Sequence, residues 1–365
     1  MLSDAVKTRY QQTLAQCEYT LARHPAQTMA QKLQAIMPLA EQYAAQDVYG
    51  QGKLINEFEQ DVARLLGQEA AIFMPSGTMA QAMALRIWAD AKQCRQVAFH
   101  PTSHLQLHEH LAYQQLHALE ATLVGAADAA ISSMDLHALK QPLAALLLEL
   151  PMREIGGQLP SWDDLLAQAQ WAKAHNVALH MDGARVWCCS SYYQRSLAEI
   201  GGLFDSVYVS FYKDMGGIAG AMLAGSTAFI AQARIWCRRC GGNIFTQFPE
   251  VLAAKAGLEK HLPAMAEYVR KAGLLSECFR QQAGIEVIPH HTQGNLFHLL
   301  INQPAETLMP KVDTWSRQHR VAILPLPRTM TRDSCRFEIT IGENALAQSD
   351  LAWQQAITRF AAFIQ

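Results

Sequence analysis

The chain has 365 residues, of which 50% are apolar and 17% are charged, so it can form one large domain and a smaller one. Its net charge of −2 gives no electrostatic reason to expect nucleic acid or an anionic membrane as a partner. The N-terminal stretch MLSDAVKTRYQQTL has no apolar run of the signal-peptide type, and no segment has the length of a spanning helix. Eight cysteines in such a chain fit a reducing compartment, so we expect a cytoplasmic protein.

Strand and helix patterns alternate along the middle of the chain. In order, the pattern predicts a strand at AAIFM, a helix at GTMAQAMALRIWAD, a strand at QVAFH, one helix at SHLQLHEHLAYQQL, a buried strand at LAALLLEL, a helix at SWDDLLAQAQWAKAHN with Ser161 as its N-cap, and strands at VALHMDGA, DSVYVSFY and AGAMLAGS. This alternation predicts an α/β fold with a mostly parallel central sheet and helices on both faces.

The alternation of strand and helix patterns stops near both ends of the chain, and these changes indicate where the domains begin and end. Residues 1–52 read as an N-terminal arm or helical segment, and residues 53–250 as the large domain. Residues 251–365 begin with a long helical stretch and continue with GIEVIPH, GNLFHLLIN and CRFEITIG, which predict a small α+β C-terminal domain.

Chemically useful residues follow the predicted strands, where ligands of an open α/β sheet collect. They are the turn Ser76-Gly77-Thr78, His104, Asp182 and Lys213. Each has an ordinary interpretation as well: Lys213 could extend to water from the end of its strand, and Asp182 could cap the next turn. The turn at 76–78 could be a simple strand–helix connection.

Taken in order, these residues suit pyridoxal phosphate. This cofactor needs a lysine for a Schiff base, a carboxylate that keeps its pyridinium nitrogen protonated, and free N–H groups at a helix N-terminus for its phosphate. Lys213, Asp182 and the turn Ser76-Gly77-Thr78 match these three needs, and His104 is the candidate to stack on the ring.

Two patterns raise the question of a metal or redox site. His104 and His108 lie four residues apart, a spacing found in metal sites, but with His100 and His110 they could equally form a solvated helix face. Cys237 and the cysteine three positions later have redox or zinc spacing, but a second such pair is missing, and ARIWCRRCGG reads as the end of a helix. We predict no metal site.

Three segments resemble the threonine aldolases of the β-eliminating lyase group. They are VYGQGKLINEFEQDVARLLGQEAAIFMPSGTMA, HMDGARVW and SVYVSFYKDMGGIAGAMLAGS, and the resemblance extends from about Val48 to the C-terminus. It implies the pyridoxal-phosphate-dependent transferase-like fold (fold type I) and cleavage of a β-hydroxy-α-amino acid to glycine and an aldehyde. It also implies a homodimer or homotetramer with shared active sites.

The resemblance assigns roles to individual residues. Lys213 would carry the cofactor, Asp182 would pair with the pyridinium nitrogen, and His104 would stack on the ring and could transfer a proton. Arg185 and Arg336 would bind the substrate carboxylate, for which arginine has the better geometry.

Tyr49, in the DVYG element, is implied to reach a neighbouring subunit's cofactor.

The chain also departs from the family's sequence pattern at several positions. Tyr212 stands where the family has a serine before the lysine, and CGGNIFTQ lacks the family's arginine. LELPMREIGGQLP lacks the histidine that the family places near the substrate's β-hydroxyl, and carries Arg153 and Glu154 instead.

Arg153 has three open interpretations. It could be exposed, it could bind an acidic substituent of the substrate, or it could pair with Glu154 or Glu149 and shape the pocket, which is the interpretation we favour. Two other functions are alternatives to aldol cleavage: β-elimination that releases ammonia and a keto acid, or a non-catalytic protein that retains the fold.

Overall fold

The structure is a computed structural model that describes residues 2–365, and it divides into two compact units. The large unit comprises Gln27–Glu154 and Leu159–Pro263, and the small unit comprises Met1–Ala26, Ile155–Gln158 and Ala264–Gln365. Within the described residues, no helix is both long and apolar enough to cross a membrane.

The strands are short, as in most α/β proteins. They are β1 Tyr19–Thr20, β2 Ala70–Met74, β3 Gln96–Phe99, β4 Glu120–Leu123, β5 Ala145–Glu149, β6 Ala178–Asp182, β7 Ser206–Ser210, β8 Ala221–Gly225, β9 Ile285–Ile288, β10 Leu296–Ile301, β11 Val321–Ala322, β12 Thr329–Met330 and β13 Cys335–Thr340.

The helices range from single turns to four turns. They are α1 Asp4–Gln16, α2 Met29–Ala40, α3 Lys53–Leu65, α4 Gly77–Lys92, α5 His104–Leu107, α6 Ala112–Gln115, α7 Ser133–His137, α8 Trp162–Ala174, α9 Cys189–Tyr193, α10 Leu197–Gly201, α11 Thr227–Arg239, α12 Phe248–His261, α13 Met265–Arg280, α14 Ala305–His319, α15 Glu343–Leu346 and α16 Asp350–Ile364.

The large unit is built on a seven-stranded sheet with the order β2-β8-β7-β6-β5-β3-β4. Only β8 runs antiparallel to its neighbours β2 and β7, while the pairs from β7 through β4 are parallel. This arrangement confirms the predicted mostly parallel sheet. Because parallel strands end at the same edge, the residues that follow β3, β5, β6 and β7 lie along one edge of the sheet.

The register of the central strands brings three polar side chains into one row. Glu149 at the end of β5 is opposite Asp182 at the end of β6, and Asp182 is opposite Tyr208 of β7. On one face of the sheet, α4 packs its small and apolar side chains against β2, β7 and β8 in a continuous core. That packing fixes the N-terminus of α4 beside the row.

The structure changes three local predictions. The predicted helix at 103–116 is two short helices, α5 and α6, because His110 and Leu111 between them adopt left-handed backbone conformations with φ of 49° and 57°. Strand β7 ends at Ser210, so Lys213 lies in the turn after the strand and not at its end. Strand β4 was not anticipated from the sequence, since its four residues are at most half-buried and carry no apolar run.

The small unit contains a four-stranded antiparallel sheet with the order β12-β13-β10-β9. Helix α13 packs on this sheet and on α16, and α1 packs on α14. Strand β1 pairs with β11, so the first 26 residues belong to the small unit and are not a separate arm with residues 27–52. The division also differs from the sequence-based boundary at residue 250, which falls inside α12 of the large unit.

Candidate active site

The N-terminus of α4 is a ready anion-binding site. Ser76 is its N-cap, and the Ser76 hydroxyl accepts a hydrogen bond from the Met79 N–H at 3.3 Å. The N–H groups of Gly77 and Thr78 have no acceptor within the helix, as at every helix start. The hydroxyl of Tyr208 lies so close to Gly77 that a β-carbon there would stand 2.0 Å from it, which explains the glycine.

Asp182 is a buried carboxylate at the end of β6, with only 2% of its surface exposed. Its Oδ1 accepts a hydrogen bond from the Ala184 N–H at 3.1 Å, and its Oδ2 accepts one from the side-chain amide of Gln81 on α4. Both donors are neutral, so the carboxylate can still serve a cationic N–H donor such as a pyridinium.

A chain of hydrogen bonds extends behind this carboxylate. The Gln81 carbonyl oxygen is 3.0 Å from His180 Nε2, and His180 Nδ1 is 2.8 Å from the Ser206 hydroxyl. Burial lowers the pKa of His180 to about 3, so the ring is neutral. Because the Gln81 amide nitrogen donates to Asp182, its carbonyl oxygen faces His180, so Nε2 carries the proton and donates to it. The neutral ring then accepts at Nδ1 from the Ser206 hydroxyl, which itself accepts from the Trp88 indole N–H at 2.8 Å. The network therefore orients the Gln81 amide toward Asp182.

Sequence reasoning missed Gln81, His180 and Ser206. The available signal was a polar residue on the apolar face of a helix, since Gln81 stands inside the run MAQAMAL, and polar residues inside two strands that otherwise read as buried. A buried polar side chain needs a partner, but the sequence does not say which one.

Lys213 is held in the tight connection from β7 to β8. The Phe211 N–H donates to the Gly220 carbonyl at 3.3 Å, and the Gly217 N–H donates to the Phe211 carbonyl at 2.8 Å. Gly216 has a φ of 67°, a left-handed conformation that glycine adopts without strain. The turn fixes the backbone of Lys213 beside the row of strand ends.

Burial and neighbouring charges both affect the pKa of the Lys213 amine. Burial lowers its pKa, and the Arg185 guanidinium lowers it further. The carboxylates of Asp182 and Glu149 act in the opposite direction. A lowered pKa increases the fraction of neutral amine, which is the form that attacks an aldehyde.

Glu149 is a second carboxyl group of the row. Burial, together with the negative charge of Asp182, raises its pKa to about 8, so it is largely protonated at neutral pH. Its Oε1 accepts a hydrogen bond from the backbone N–H of Arg153 at 3.0 Å, which holds the start of the turn after β5. The site therefore has a largely protonated carboxyl group, Glu149, directly beside Asp182.

His104 begins the helix α5 beside this row. Its Nδ1 is 2.9 Å from Oε1 of Glu109, a residue that is buried. Burial raises the pKa of Glu109, and the hydrogen bond from His104 lowers it. His108 has its ring 5.1 Å from that of His104 and binds Glu154 with its Nε2 at 2.7 Å. His100 is held elsewhere, by the carbonyl oxygens of residues 126 and 129.

The residues expected to bind substrate occupy different places. Arg185 is buried three positions after Asp182, and Arg153 is half-buried in the turn after β5. Arg336 is half-buried in β13 of the small unit, opposite Leu300 of β10. Their roles toward substrate stay predictions.

Tyr49 is 55% exposed, has a left-handed backbone with φ of 50°, and packs edge-on against the Phe245 ring at 5.4 Å. Its exposure leaves it available to a neighbouring subunit, and that role stays a prediction.

The CRRC pair lies at the end of a helix, as the sequence suggested, with Cys237 in the last turn of α11 and Cys240 as its C-cap. Both are free thiols whose pKa values are raised by burial, which does not favour the reactive thiolate.

The large unit thus has the groups that a phosphorylated pyridine aldehyde requires: free N–H groups at the start of α4, a buried carboxylate held by neutral donors, and an amine with a lowered pKa. A β-carbon at Gly77 would obstruct the helix start, and the glycine keeps it clear. The residues present fit pyridoxal phosphate.

Comparison with known proteins gives a consistent result. Residues 24–301 match the model of the β-eliminating lyase family. Low-specificity L-threonine aldolase 1 of Arabidopsis thaliana is 27% identical over 265 residues, which are 69% of this chain and 73% of the relative.

Two solved structures resemble nearly the whole chain. A crystal structure assigned as an L-allo-threonine aldolase from Listeria monocytogenes is 36% identical with a TM-score of 0.94, covering 99% of this chain and 100% of that one. A structure assigned as an aromatic amino acid β-eliminating lyase/threonine aldolase from Exiguobacterium is 36% identical with a TM-score of 0.93, covering 97% of this chain and 99% of that one.

Proposed function

The chain belongs to the β-eliminating lyase family, and on that premise we propose that it is a pyridoxal-phosphate-dependent lyase. Its reaction is aldol cleavage of a β-hydroxy-α-amino acid of the threonine or allo-threonine type, which gives glycine and an aldehyde. The fold is that of the pyridoxal-phosphate-dependent transferases of fold type I. One observation carries the proposal. The carboxylate of Asp182, buried at the end of β6, interacts electrostatically with the amine of Lys213, whose pKa is lowered by burial.

The chain's own residues would hold the cofactor as follows. Ser76, Gly77 and Thr78 bind the phosphate with the N–H groups at the start of α4. Asp182 would hold the ring nitrogen protonated, and Lys213 would bind the aldehyde carbon. When bound, pyridoxal phosphate supplies a protonated ring that accepts the electron pair released from the Cα–Cβ bond.

The remaining groups act on the substrate and on the ring. His104 stacks on the ring and can transfer a proton through Nε2, since Nδ1 is occupied by Glu109. Arg185 and Arg336 bind the substrate carboxylate by charge-assisted hydrogen bonds. Lys213, with its lowered pKa, is available to accept or return a proton at Cα once the substrate has replaced it.

The finer predictions concern assembly and location. We propose a homodimer or homotetramer in which Tyr49, with its exposed ring, reaches the neighbouring subunit's cofactor. A cytoplasmic location stays a prediction, as does the expectation that neither nucleic acid nor a membrane is a partner. Sedimentation of the purified holoenzyme tests the assembly.

The test of the proposed reaction is a product assay. The holoenzyme is mixed with a panel of β-hydroxy amino acids, and aldehyde, glycine, ammonia and keto acid are measured together. Equal amounts of aldehyde and glycine are expected. Ammonia and a keto acid would instead identify the β-eliminating alternative, and absence of all four products would favour a non-catalytic protein.

The cofactor assignment has its own test. The protein should be yellow, and borohydride should fix the cofactor to the peptide that contains Lys213. Recovery of the label on a different lysine would overturn the assignment of Lys213.

A further inference from the structure

Two histidine–carboxylate pairs lie side by side in the segment that follows β3. His104 pairs with Glu109 of its own segment at 2.9 Å, and His108 pairs with Glu154, 46 residues later, at 2.7 Å. The two imidazole rings are 5.1 Å apart. The first pair belongs to the cofactor site described above, while the second has no assigned role.

The carboxylates fix which nitrogen of each ring is free. An ionised carboxylate only accepts hydrogen bonds, so the histidine nitrogen that faces it must carry the proton. For His108 that nitrogen is Nε2, which leaves Nδ1 unprotonated and able to accept a proton. The carboxylate of Glu154 would then stabilise the imidazolium that forms. This is the arrangement of a general base with an orienting acid.

Neighbours of both members of this pair interact electrostatically with Lys213, and the His108 ring lies 5.1 Å from that of His104. The charge of Glu109 acts on Lys213 and Asp182, so the segment from His104 to Glu109 borders the lysine. Arg153, which directly precedes Glu154, also acts electrostatically on Lys213. Both partners of the His108–Glu154 pair therefore come from segments that approach Lys213, where the substrate's Cα has to be during the reaction.

We propose that His108, oriented by Glu154, is the base that accepts the proton of the substrate's β-hydroxyl group. The proposal rests on the aldol cleavage described above. The hydroxyl O–H bond breaks and its proton passes to His108 Nδ1, while the oxygen's electrons form the aldehyde C=O bond. The Cα–Cβ bond breaks, and the cofactor, when bound, would supply the acceptor for its electron pair. His108 then releases its proton to water, and Cα takes up one proton before glycine leaves.

This role explains a peculiarity of the turn after β5. LELPMREIGGQLP carries no histidine of its own, but supplies the carboxylate that orients a histidine from another segment. Glu154 is therefore a positioning residue and His108 the catalytic one. A purely structural pair predicts something different, because a partly exposed ion pair contributes little to stability and nothing selective to one reaction step.

The test compares two reactions of the same holoenzyme. Aldol cleavage of threonine or allo-threonine needs a base for the β-hydroxyl, whereas exchange of the glycine Cα proton for deuterium, followed by NMR, does not. The variants are His108→Asn and Glu154→Gln. The matched control is His110→Asn, since His110 is exposed in the same segment and has a left-handed φ of 49° that asparagine tolerates.

A selective loss is expected. His108→Asn should lower the kcat of cleavage by about 10²-fold or more, while glycine exchange and the cofactor absorbance stay near wild type. Glu154→Gln should lower cleavage by roughly tenfold with the same selectivity, since it acts through His108. His110→Asn should leave both reactions unchanged.

Two results would overturn the inference: cleavage by His108→Asn within about threefold of wild type, or equal losses in both reactions, which a structural role predicts. If His108→Asn does not fold or bind cofactor, Glu154→Gln decides by the same criterion. If the wild-type protein exchanges the glycine proton but cleaves no β-hydroxy amino acid, the proposed function itself is wrong and the inference falls with it.

Discussion

Gln81 and Asp182 are joined by a buried hydrogen bond in which the Gln81 side-chain amide donates to Oδ2 of the carboxylate, although 101 residues separate them. On its other side, the Gln81 amide is held in this orientation by a chain of hydrogen bonds that runs through His180 and Ser206 to Trp88. The carboxylate is thus held in place by a neutral network that leaves its charge available for the ring nitrogen of a cofactor. Two substitutions distinguish the effect of the Asp182 charge from the effect of the Gln81 hydrogen bond that holds it.

Asp182→Asn keeps the shape of the side chain but removes the charge. We expect the cofactor to bind and the kcat of cleavage to fall by orders of magnitude, because an unprotonated pyridine is a poor electron sink. Gln81→Leu should bind cofactor with a shifted absorbance and lose roughly tenfold in kcat, since Asp182 loses a donor. Gln168→Leu is the control, since Gln168 is a buried glutamine on α8 that bonds to Ile131 and Asp164. Near-normal turnover of Asp182→Asn would contradict the role.

Gly77→Ala tests the anion site at the start of α4. The new methyl group would stand 2.0 Å from the Tyr208 hydroxyl, so the helix start or that tyrosine has to move. We expect the cofactor Kd to rise by at least tenfold, measured by titration of the apoenzyme. The control is Gly273→Ala in α13, where a β-carbon meets nothing within 4 Å and should stabilise the helix by about 0.5–1 kcal/mol. Unchanged cofactor affinity in Gly77→Ala would exclude a phosphate site there.

Glu149→Gln tests the raised pKa of the second carboxyl group. The folded-state pKa of about 8 lies above the ordinary value of 4.5, so the stability that the protonated group contributes is fully present below about 4.5 and is lost as the pH rises through 8. The variant lacks this loss. Relative to wild type it should gain stability as the pH rises from 4.5 to 8, and the difference should then level off.

Thermal unfolding of the apoenzyme across that pH range measures the effect of Glu149→Gln, because a bound cofactor would change the local charge. Glu286→Gln, at an exposed position of β9, is the control and should stay within about 0.5 kcal/mol of wild type throughout. A difference between Glu149→Gln and wild type that does not vary with pH would mean that Glu149 is ionised in the folded protein.

Arg336→Ala and Arg185→Ala test the binding of the substrate carboxylate. A charge-assisted pair is roughly twice as strong as a neutral hydrogen bond, so each change should raise the KM at least tenfold. Arg336→Ala should leave the cofactor absorbance the same, whereas Arg185→Ala also removes a charge that acts on Lys213. Steady-state kinetics and absorbance spectra of both variants provide the measurement. A spectrum that collapses in Arg336→Ala would instead place that residue with the cofactor or the core.

Arg153→Met tests whether this arginine shapes the pocket or binds an acidic substituent. Its charge acts on Lys213, and the carboxylate of the adjacent Glu154 favours the pocket-shaping interpretation. We therefore expect small and equal losses of kcat/KM on threonine and on 3-hydroxyaspartate. A loss confined to the diacid would show that Arg153 recognises a second carboxylate and that the natural substrate is acidic.

Much of the large unit was predictable because its signals are local. The apolar runs at 70–74 and 145–149 specify buried strands wherever they occur, and the N-cap serines at 76 and 161 begin helices as expected. Asp164, three residues after the N-cap Ser161, does not close a capping box, because its carboxylate accepts hydrogen bonds from the Ser133 N–H and from Gln168 instead. The helix break at 110–111 also escaped the pattern, since helical periodicity continues across it.

What the sequence determined by itself is the order of strands and helices and the residue types that suit the cofactor, of which Asp182 and Lys213 are the central pair. Only the tertiary structure decided that Gln81 supports Asp182, that Glu149 is largely protonated, and that Glu154 pairs with His108. The physical reason is distance along the chain. Helical and strand periodicity depend on neighbours a few residues apart, whereas these contacts join segments that meet only after the strand order β7-β6-β5-β3 is fixed.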